Sequence, residues 1–361
     1  MKKIGLFIVL LVLSIIHVVA QDTSIKGTIT LSHQGKTTDF AYNKMADVVE
    51  TAIDGDTVFL STGYFNGDFI LDKKLAFIGS GADTDKGNGN YTFYEGRIIL
   101  RMQEDTKLSA RLFEGIYFWN SSFTYETSIE NVIFKKCRGC GYNITLNADI
   151  KSILFDRCHI EGYGYYNSIH TLKAIARNCR IEDFAIWNNR AETNSWQFIN
   201  CTINLDNWGY TDEEGIYHVW SPIYGGTFMN CIIDNIGNDN TGCWLYNPQN
   251  IETTSSASFM NCLLNKPTEE IDIFNGATTK DNMFFDHTNI DNSWENLICN
   301  FTKEKLQENN FLGNDGTVVG CYGGKNPYTL KQMTSTITSS KVHFDKDNKQ
   351  IQIKMKVSSE Q

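Results

Sequence analysis

The sequence predicts an all-β protein: a parallel β-helix, or solenoid of stacked coils, closed by a helix at one end and a β tail at the other. Three observations predict it. First, a tetrapeptide recurs. "FKKC" ends at Cys137, "FDRC" at Cys158, "ARNC" at Cys179, "FINC" at Cys201, and "FMNC" at both Cys231 and Cys262. The steps are 21, 21, 22, 30 and 31 residues. Ile116 in "FEGI" fills the same slot one step earlier, and His287 in "FFDH" is expected to fill it one step later. Second, the segments after each Cys ("CTINL", "CIIDN", "CLLN") alternate with period 2 and are rich in Ile, Thr and Leu, as strands are. Third, both ends carry segments suited to cap a coil stack.

The elements follow in order. The chain opens "MKKIGLFIVLLVLSIIHVVAQD", with Lys2 and Lys3, an apolar run from Ile4 to Val19, and small residues at Val18-x-Ala20. This is the pattern of a secretory signal peptide over residues 1–20, and the run is short for a membrane span. No second apolar stretch follows. The mature chain is therefore expected to lack a transmembrane segment and to be exported, to the periplasm, the cell surface or the medium. Residues 21–54 are expected to hold a strand and the capping helix. "YNKMADVVETAI" (42–53) sets Met45, Val48, Val49, Ala52 and Ile53 on one helical face. Residues 55–330 are read as about ten coils. Residues 331–361 are read as a β tail: "KVHFDKDNKQIQIKMKV" alternates Ile351, Ile353, Met355 and Val357 after a polar turn, as a hairpin would.

Within each coil, Phe and Cys of "FxNC" stand three apart. A straight strand would point them to opposite faces. A bend at one residue brings both inside, and Asn takes the left-handed backbone more readily than other non-glycine residues. Asn178, Asn200, Asn230 and Asn261 are thus expected at corners, with three short strands per coil. Ten cysteines in an exported chain would suggest disulfides. Their placement, one per coil, argues instead for a ladder of buried thiols acting as small hydrophobes. "CRGC" at Cys137 and Cys140 has no second pair to complete a zinc site.

The lead-in "GDTVFLSTGYFNGDFILDKKLAFIGSGAD" (55–83) and the segment "VVGCYGGKNPYTL" (318–330), with the repeats between, resemble the secreted proteins of the pectin-lyase-like superfamily. The resemblance implies an all-β, right-handed parallel β-helix. It implies no particular reaction, since the superfamily contains lyases, hydrolases, esterases and non-catalytic adhesins. The paired Asp motifs of polygalacturonase-type hydrolases, the Arg-x-Pro-x-x-Arg of pectate lyases and the Gln-rich motifs of pectin methylesterases are absent from this sequence. In that superfamily, the turn after the Cys-led strand overhangs a substrate groove, and the next strand forms its floor.

Candidate site residues follow from that register. The coils lengthen around Cys231, giving loops 205–226 and 235–250 that carry Trp208, Tyr210, Tyr217, Trp220, Tyr224, Trp244 and Tyr246. Such rings either stack on sugars or pack the loops down. On the expected floor, Asp149, His170 and Glu192 occupy one outward column with Arg190 beside it. They are either an acid–base site with a carboxylate-binding Arg or a solvated polar face. A second column directly after each Cys holds Arg138, His159 and Arg180, which either grip an anionic glycan or pair with nearby Asp156, Glu161 and Glu182.

The formal net charge of −10, two units lower once Lys2 and Lys3 leave, argues against nucleic acid as partner. No cofactor or metal is expected. Calcium has only the weak suggestion of "DEE" at 212–214, and no DxDxDG run is present. The expected function is that of a monomeric exported protein contacting polysaccharide or a cell-surface glycan through its groove, without a standard catalytic site. The alternative is a lyase or hydrolase acting on a uronate-type glycan with His170 as acid or base.

Overall fold

The computed structural model of the protein describes residues 25–82, 91–101, 111–127, 129–140, 144–146, 152–161, 174–184, 196–205, 209–211, 217–219, 226–234, 257–265, 278–285, 301–330, 335–345 and 350–359. The expected leader at 1–20 lies outside them. Among these residues the protein is all-β apart from two short helices, and its strands run largely parallel, turn upon turn, as in a β-helix-like solenoid. Three strands make a turn: Thr57–Leu60, Gly63–Asn66 and Phe69–Leu71, then Ala76–Ile78, Thr92–Glu95 and Arg97–Leu100. Each pairs with its counterpart one turn on, and Ala76–Ile78 continues in the same way to Arg111–Glu114 on the long first sheet. That sheet starts antiparallel, where Thr28–His33 pairs with both Lys36–Ala41 and Thr57–Leu60, and then continues in parallel to Thr278–Lys280.

Parallel pairing in register puts like residues above one another, one strand spacing apart. The result is an interior aromatic ladder. Phe77, Phe113, Phe134 and Phe155 stack at 5.2, 5.2 and 5.4 Å. Ala176 interrupts it, and Phe198, Phe228 and Phe259 resume at 4.7 and 4.9 Å. The corner residues have φ of 53° at Asn178, 51° at Asn200, 54° at Asn230 and 52° at Asn261. Lys136, Arg157 and Gly115 hold the same conformation in earlier turns. Past each corner the thiol points inward. Cys231 Sγ donates to the carbonyls of Met229 and, one turn back, Phe198, at 3.3 and 3.4 Å. All eight described cysteines are free and buried, and six of them (Cys137, Cys158, Cys179, Cys201, Cys231 and Cys262) form the thiol ladder. Burial pushes the Cys179, Cys201 and Cys231 thiols well above their ordinary range.

The ladder ends differently from the expectation. Thr279 pairs with Phe259 and Lys280 with Met260, so Asp281 (φ 53°) takes the corner and Asn282, not His287, takes the Cys slot. Asn282 Oδ1 accepts from Cys262 N at 2.9 Å, and its Nδ2 donates to Phe259 O at 3.1 Å. A side-chain amide bonds both backbone groups, which a thiol would do poorly. "FFDH" misleads because its Phe284 and Phe285 belong to the following strand, Met283–Phe285.

The N-terminal helix forms over Met45–Thr51, with Met45, Val48 and Val49 buried against the first coils. Lys73 Nζ caps it, donating to the carbonyls of Val49 and Glu50 at 2.7 and 2.8 Å. Ile53 lies beyond the helix end and is 52% exposed, contrary to its place in the helical periodicity.

The segment 301–330 makes no coil. After a helix, Lys303–Glu308, it runs back as a strap along the outside of a second parallel sheet, formed by Gly63–Asn66, Thr92–Glu95 and Tyr117–Phe118 and, beyond single bridges at Arg138, by His159–Glu161, Arg180–Phe184, Thr202–Leu205, Ile232–Asp234, Leu263–Asn265 and Met283–Phe285. Phe301, Leu306, Val318 and Val319 cover Ile232, Leu263 and Phe285. Gly320 N donates to Asn230 O at 2.8 Å, and Cys321 N to Thr202 Oγ1 at 3.0 Å. Asn178 Nδ2 donates to the carbonyls of Cys321 and Gly323 at 3.2 and 2.7 Å. Leu330 ends the strap against Tyr117 and Ala82. The strap explains why "CIID" and "CLLN" are apolar on both faces. Beyond it, Ser335–Asp345 and Gln350–Ser359 pair antiparallel as the expected hairpin, Val342 opposite Ile353.

Candidate functional site

The second sheet carries the site. Parallel pairing aligns Tyr64, Phe93 and Tyr117 in one outward column, and single bridges carry it on through Arg138 and His159 to Arg180. Two residues further along each strand, a second column holds Glu95, Trp119, Glu161 and Glu182. The face is thus aromatic over its first turns and charged over the next.

In the aromatic half, ring centroids lie 5.9 Å apart for Tyr64–Phe93, 5.2 Å for Phe93–Tyr117, 5.9 Å for Phe93–Trp119 and 5.8 Å for Tyr117–Trp119. Trp119 is 51% exposed. Glu95 borders the rings. It accepts from Tyr64 Oη at 2.5 Å and from Asn120 Nδ2 at 3.3 Å. Flat rings offer an apolar surface to the C–H face of a pyranose, and a bordering carboxylate and amide offer partners to its hydroxyls.

In the charged half, Arg138 lies over the Tyr117 ring, 4.7 Å from its centroid. Its Nε and Nη2 both donate to Glu161 Oε1, at 2.8 and 2.6 Å. Burial works to lower the Arg138 pKa, but the pairing with Glu161 outweighs it and the net shift is upward. Arg180 hydrogen-bonds Tyr322 Oη and lies over the Tyr328 ring at 4.5 Å, both from the strap. Between the two guanidiniums, His159 is 6% exposed and contacts Glu182 through Nε2. Its Nδ1 lies 3.8 Å from Glu161 Oε1. Burial, helped by Arg138 and Arg180 and opposed by Glu161, pushes its pKa down to about 3. A neutral imidazole donating Nε2–H to the Glu182 carboxylate satisfies both the contact and the shift.

Arg138 and Arg180 therefore stand on either side of His159 in one column, as the register implied, but with committed partners. Arg157 likewise pairs with Asp156 at 2.8 Å. Tyr210 and Tyr217 stand on a two-stranded antiparallel ribbon, Gly209–Thr211 with Tyr217–Val219. Asp149, His170, Arg190, Glu192, Trp208, Trp220 and Trp244 lie outside the described residues, as does the 212–214 run.

Tyr64, Phe93 and Trp119 escaped the sequence reading. The signal was present in "GYFN", "TFYE" and "YFWN", where aromatic residues recur at equivalent outward positions. An alignment anchored on cysteine begins at Ile116 and leaves the earlier turns unregistered. A cleft of about 510 Å³ lies between the N-terminal helix and the strands Phe69–Leu71 and Arg97–Leu100. Its charges are spent locally, Arg97 on Asp68 at 3.5 Å and Lys73 on the helix end.

Comparison with protein-family models, curated proteins and solved structures gives no match. Among the described residues, no helix is long and apolar enough to cross a membrane.

Proposed function

We propose that this is an exported, monomeric, right-handed β-helix protein of the pectin-lyase-like type that binds polysaccharide or a cell-surface glycan on the outer face of its second sheet. One observation carries the reading: a half-exposed Trp119 stands beside the aromatic column of Tyr64, Phe93 and Tyr117, in contact with Phe93 and Tyr117 and bordered by Glu95 and Asn120. Of these rings Trp119 is the exposed one, Tyr117 being buried beneath Arg138 and Leu330, and an exposed indole beside a carboxylate and an amide offers a flat face on which a sugar ring can stack. The ligand favoured is neutral rather than uronate-rich. Arg138 is ion-paired with Glu161, the Arg180 guanidinium is occupied by the strap tyrosines, and Glu95 adds a negative charge beside the rings.

The test is affinity electrophoresis of the mature protein through gels containing neutral and acidic polysaccharides. Retardation by a neutral polysaccharide, relieved in Trp119→Ala, is expected. Loss of one stacking ring, worth about 0.5–1.5 kcal/mol beyond its area, should weaken binding about tenfold once burial is added. Retardation unaffected by Trp119→Ala, or none on a broad panel, overturns the proposal.

A further inference from the structure

We propose that His159, Glu161 and Glu182 form a binding site for a divalent transition-metal ion, Zn2+ being the best match. One ligand atom from each of the three lies within 4.8 Å of the others. They come from two neighbouring strands, His159–Glu161 and Arg180–Phe184, paired with His159 opposite Arg180 and Glu161 opposite Glu182. Parallel register therefore sets the two carboxylates one strand spacing apart, with the imidazole beside them.

The chemistry of the set selects the ion. One imidazole nitrogen and two carboxylate oxygens suit Zn2+, with ligand distances near 2.0–2.2 Å. Calcium wants six to eight oxygens and magnesium a strict octahedron of them, so both fit poorly. His159 is buried with Nε2 against the Glu182 carboxylate, and the neutral imidazole is the form that ligates. Its imidazole has two tautomers. Without an ion, Nε2–H donates to Glu182. With an ion, the proton sits on Nδ1, facing Glu161 Oε1 at 3.8 Å, and Nε2 turns its lone pair to the ion beside Glu182. The exchange moves a proton within the ring and releases none.

The surrounding charges have to permit a cation. The groups facing the cluster are Arg138, Arg180 and Tyr117, with Tyr322 and Tyr328 behind Arg180. Both Arg138 bonds to Glu161 fall on Oε1, so Oε2 can take the ion while Arg138 orients the carboxylate from behind, as outer partners of metal ligands do. The Arg180 guanidinium is held by Tyr322 and Tyr328 on its strap side. The two guanidiniums and two carboxylates sum to zero, so the ion enters a neutral rather than a repelling site. Its remaining coordination positions face outward, where Glu161 and Glu182 keep partial exposure.

The experiment is calorimetric titration of the folded, mature protein with Zn2+, with Ca2+ and Mg2+ as controls. Co2+ absorption reports the ligand type. One Zn2+ per chain is expected, with a raised melting temperature and a Co2+ spectrum lacking thiolate charge-transfer bands. Affinity should fall by about 100-fold or more in His159→Gln and by at least about tenfold in Glu182→Gln, with circular dichroism confirming that both remain folded. Glu182→Gln keeps a hydrogen-bonding group against His159, so it reads ligation even if His159→Gln disturbs the fold. No saturable Zn2+ binding, binding unchanged in Glu182→Gln, or thiolate bands in the Co2+ spectrum overturns the proposal. Glycan binding is measured separately through Trp119→Ala, so either result stands without the other.

Discussion

Two corner asparagines with the same backbone should respond very differently to the same substitution. Asn178 and Asn261 have φ of 53° and 52°. Glycine adopts that conformation without steric cost, so on backbone grounds Asn→Gly is nearly neutral at both. Among the described residues the Asn261 side chain makes no hydrogen bond, whereas Asn178 Nδ2 donates to the strap carbonyls of Cys321 and Gly323. Cys321 O retains a bond from Tyr328 N at 2.8 Å, but Gly323 O is left with none among the described residues. Two lost bonds at about 0.5–1.5 kcal/mol each, with one buried carbonyl orphaned, come to roughly 2–3 kcal/mol. Asn261→Gly should cost about 0.5 kcal/mol or less, the usual range for a substitution with no special partner. Urea unfolding of both variants measures the difference. Amide exchange of the strap locates it, because a solenoid can open in parts. Asn178→Gly should speed exchange at Gly320 and Cys321, whose amides bond Asn230 O and Thr202 Oγ1. Equal costs within about 0.5 kcal/mol, or unchanged strap exchange, would refute the assignment of these bonds to strap anchoring.

Three further outcomes follow. Phe228→Ala removes a ring stacked at 4.7 and 4.9 Å on both sides and should cost about 3–5 kcal/mol, splitting thermal unfolding into separate steps for the coils on either side. A single transition at the wild-type midpoint argues against the ladder. The eight described thiols should resist Ellman's reagent in the folded protein and react once it is unfolded in denaturant without reductant. Rapid labelling of the folded chain contradicts their burial. Gly320→Ala should detach the strap. Gly320 has φ +80°, and a Cβ would sit 2.6 Å from Ile232 Cδ1 and 2.8 Å from Thr202 Oγ1. The expected cost is about 1–3 kcal/mol, with faster exchange at Cys321; unchanged stability refutes it.

The coil itself was legible because its determinants are local and repeated. Phe inward, a left-handed Asn and an inward Cys follow from backbone preference and side-chain period at one corner, and repetition multiplies the signal. Where the repeat loses its spelling, reading by motif fails. "TKDN" holds the same corner as "FMNC" yet matches it at no position, so Asn282 was missed in favour of His287. The first turns, written with Gly rather than Asn and Cys, hid the aromatic column for the same reason.

The sequence by itself determined the period, the inward faces, the burial of the repeated cysteines, the N-terminal helix and the hairpin pairing of the tail. Those depend on contacts between residues a fixed number of positions apart. Only the tertiary structure decided what covers the outer face. The strap joins residues about 80 to 145 positions apart in sequence, as between Asn230 and Asn314 and between Asn178 and Gly323, and no periodicity encodes such a partner. It turns Arg180 from a free cation into the partner of two tyrosines. Stacking likewise sets Glu182 beside His159 and Glu161 one turn away. The chemistry at this face comes from side chains brought together by coil register and strap, so its composition was readable but its geometry was not.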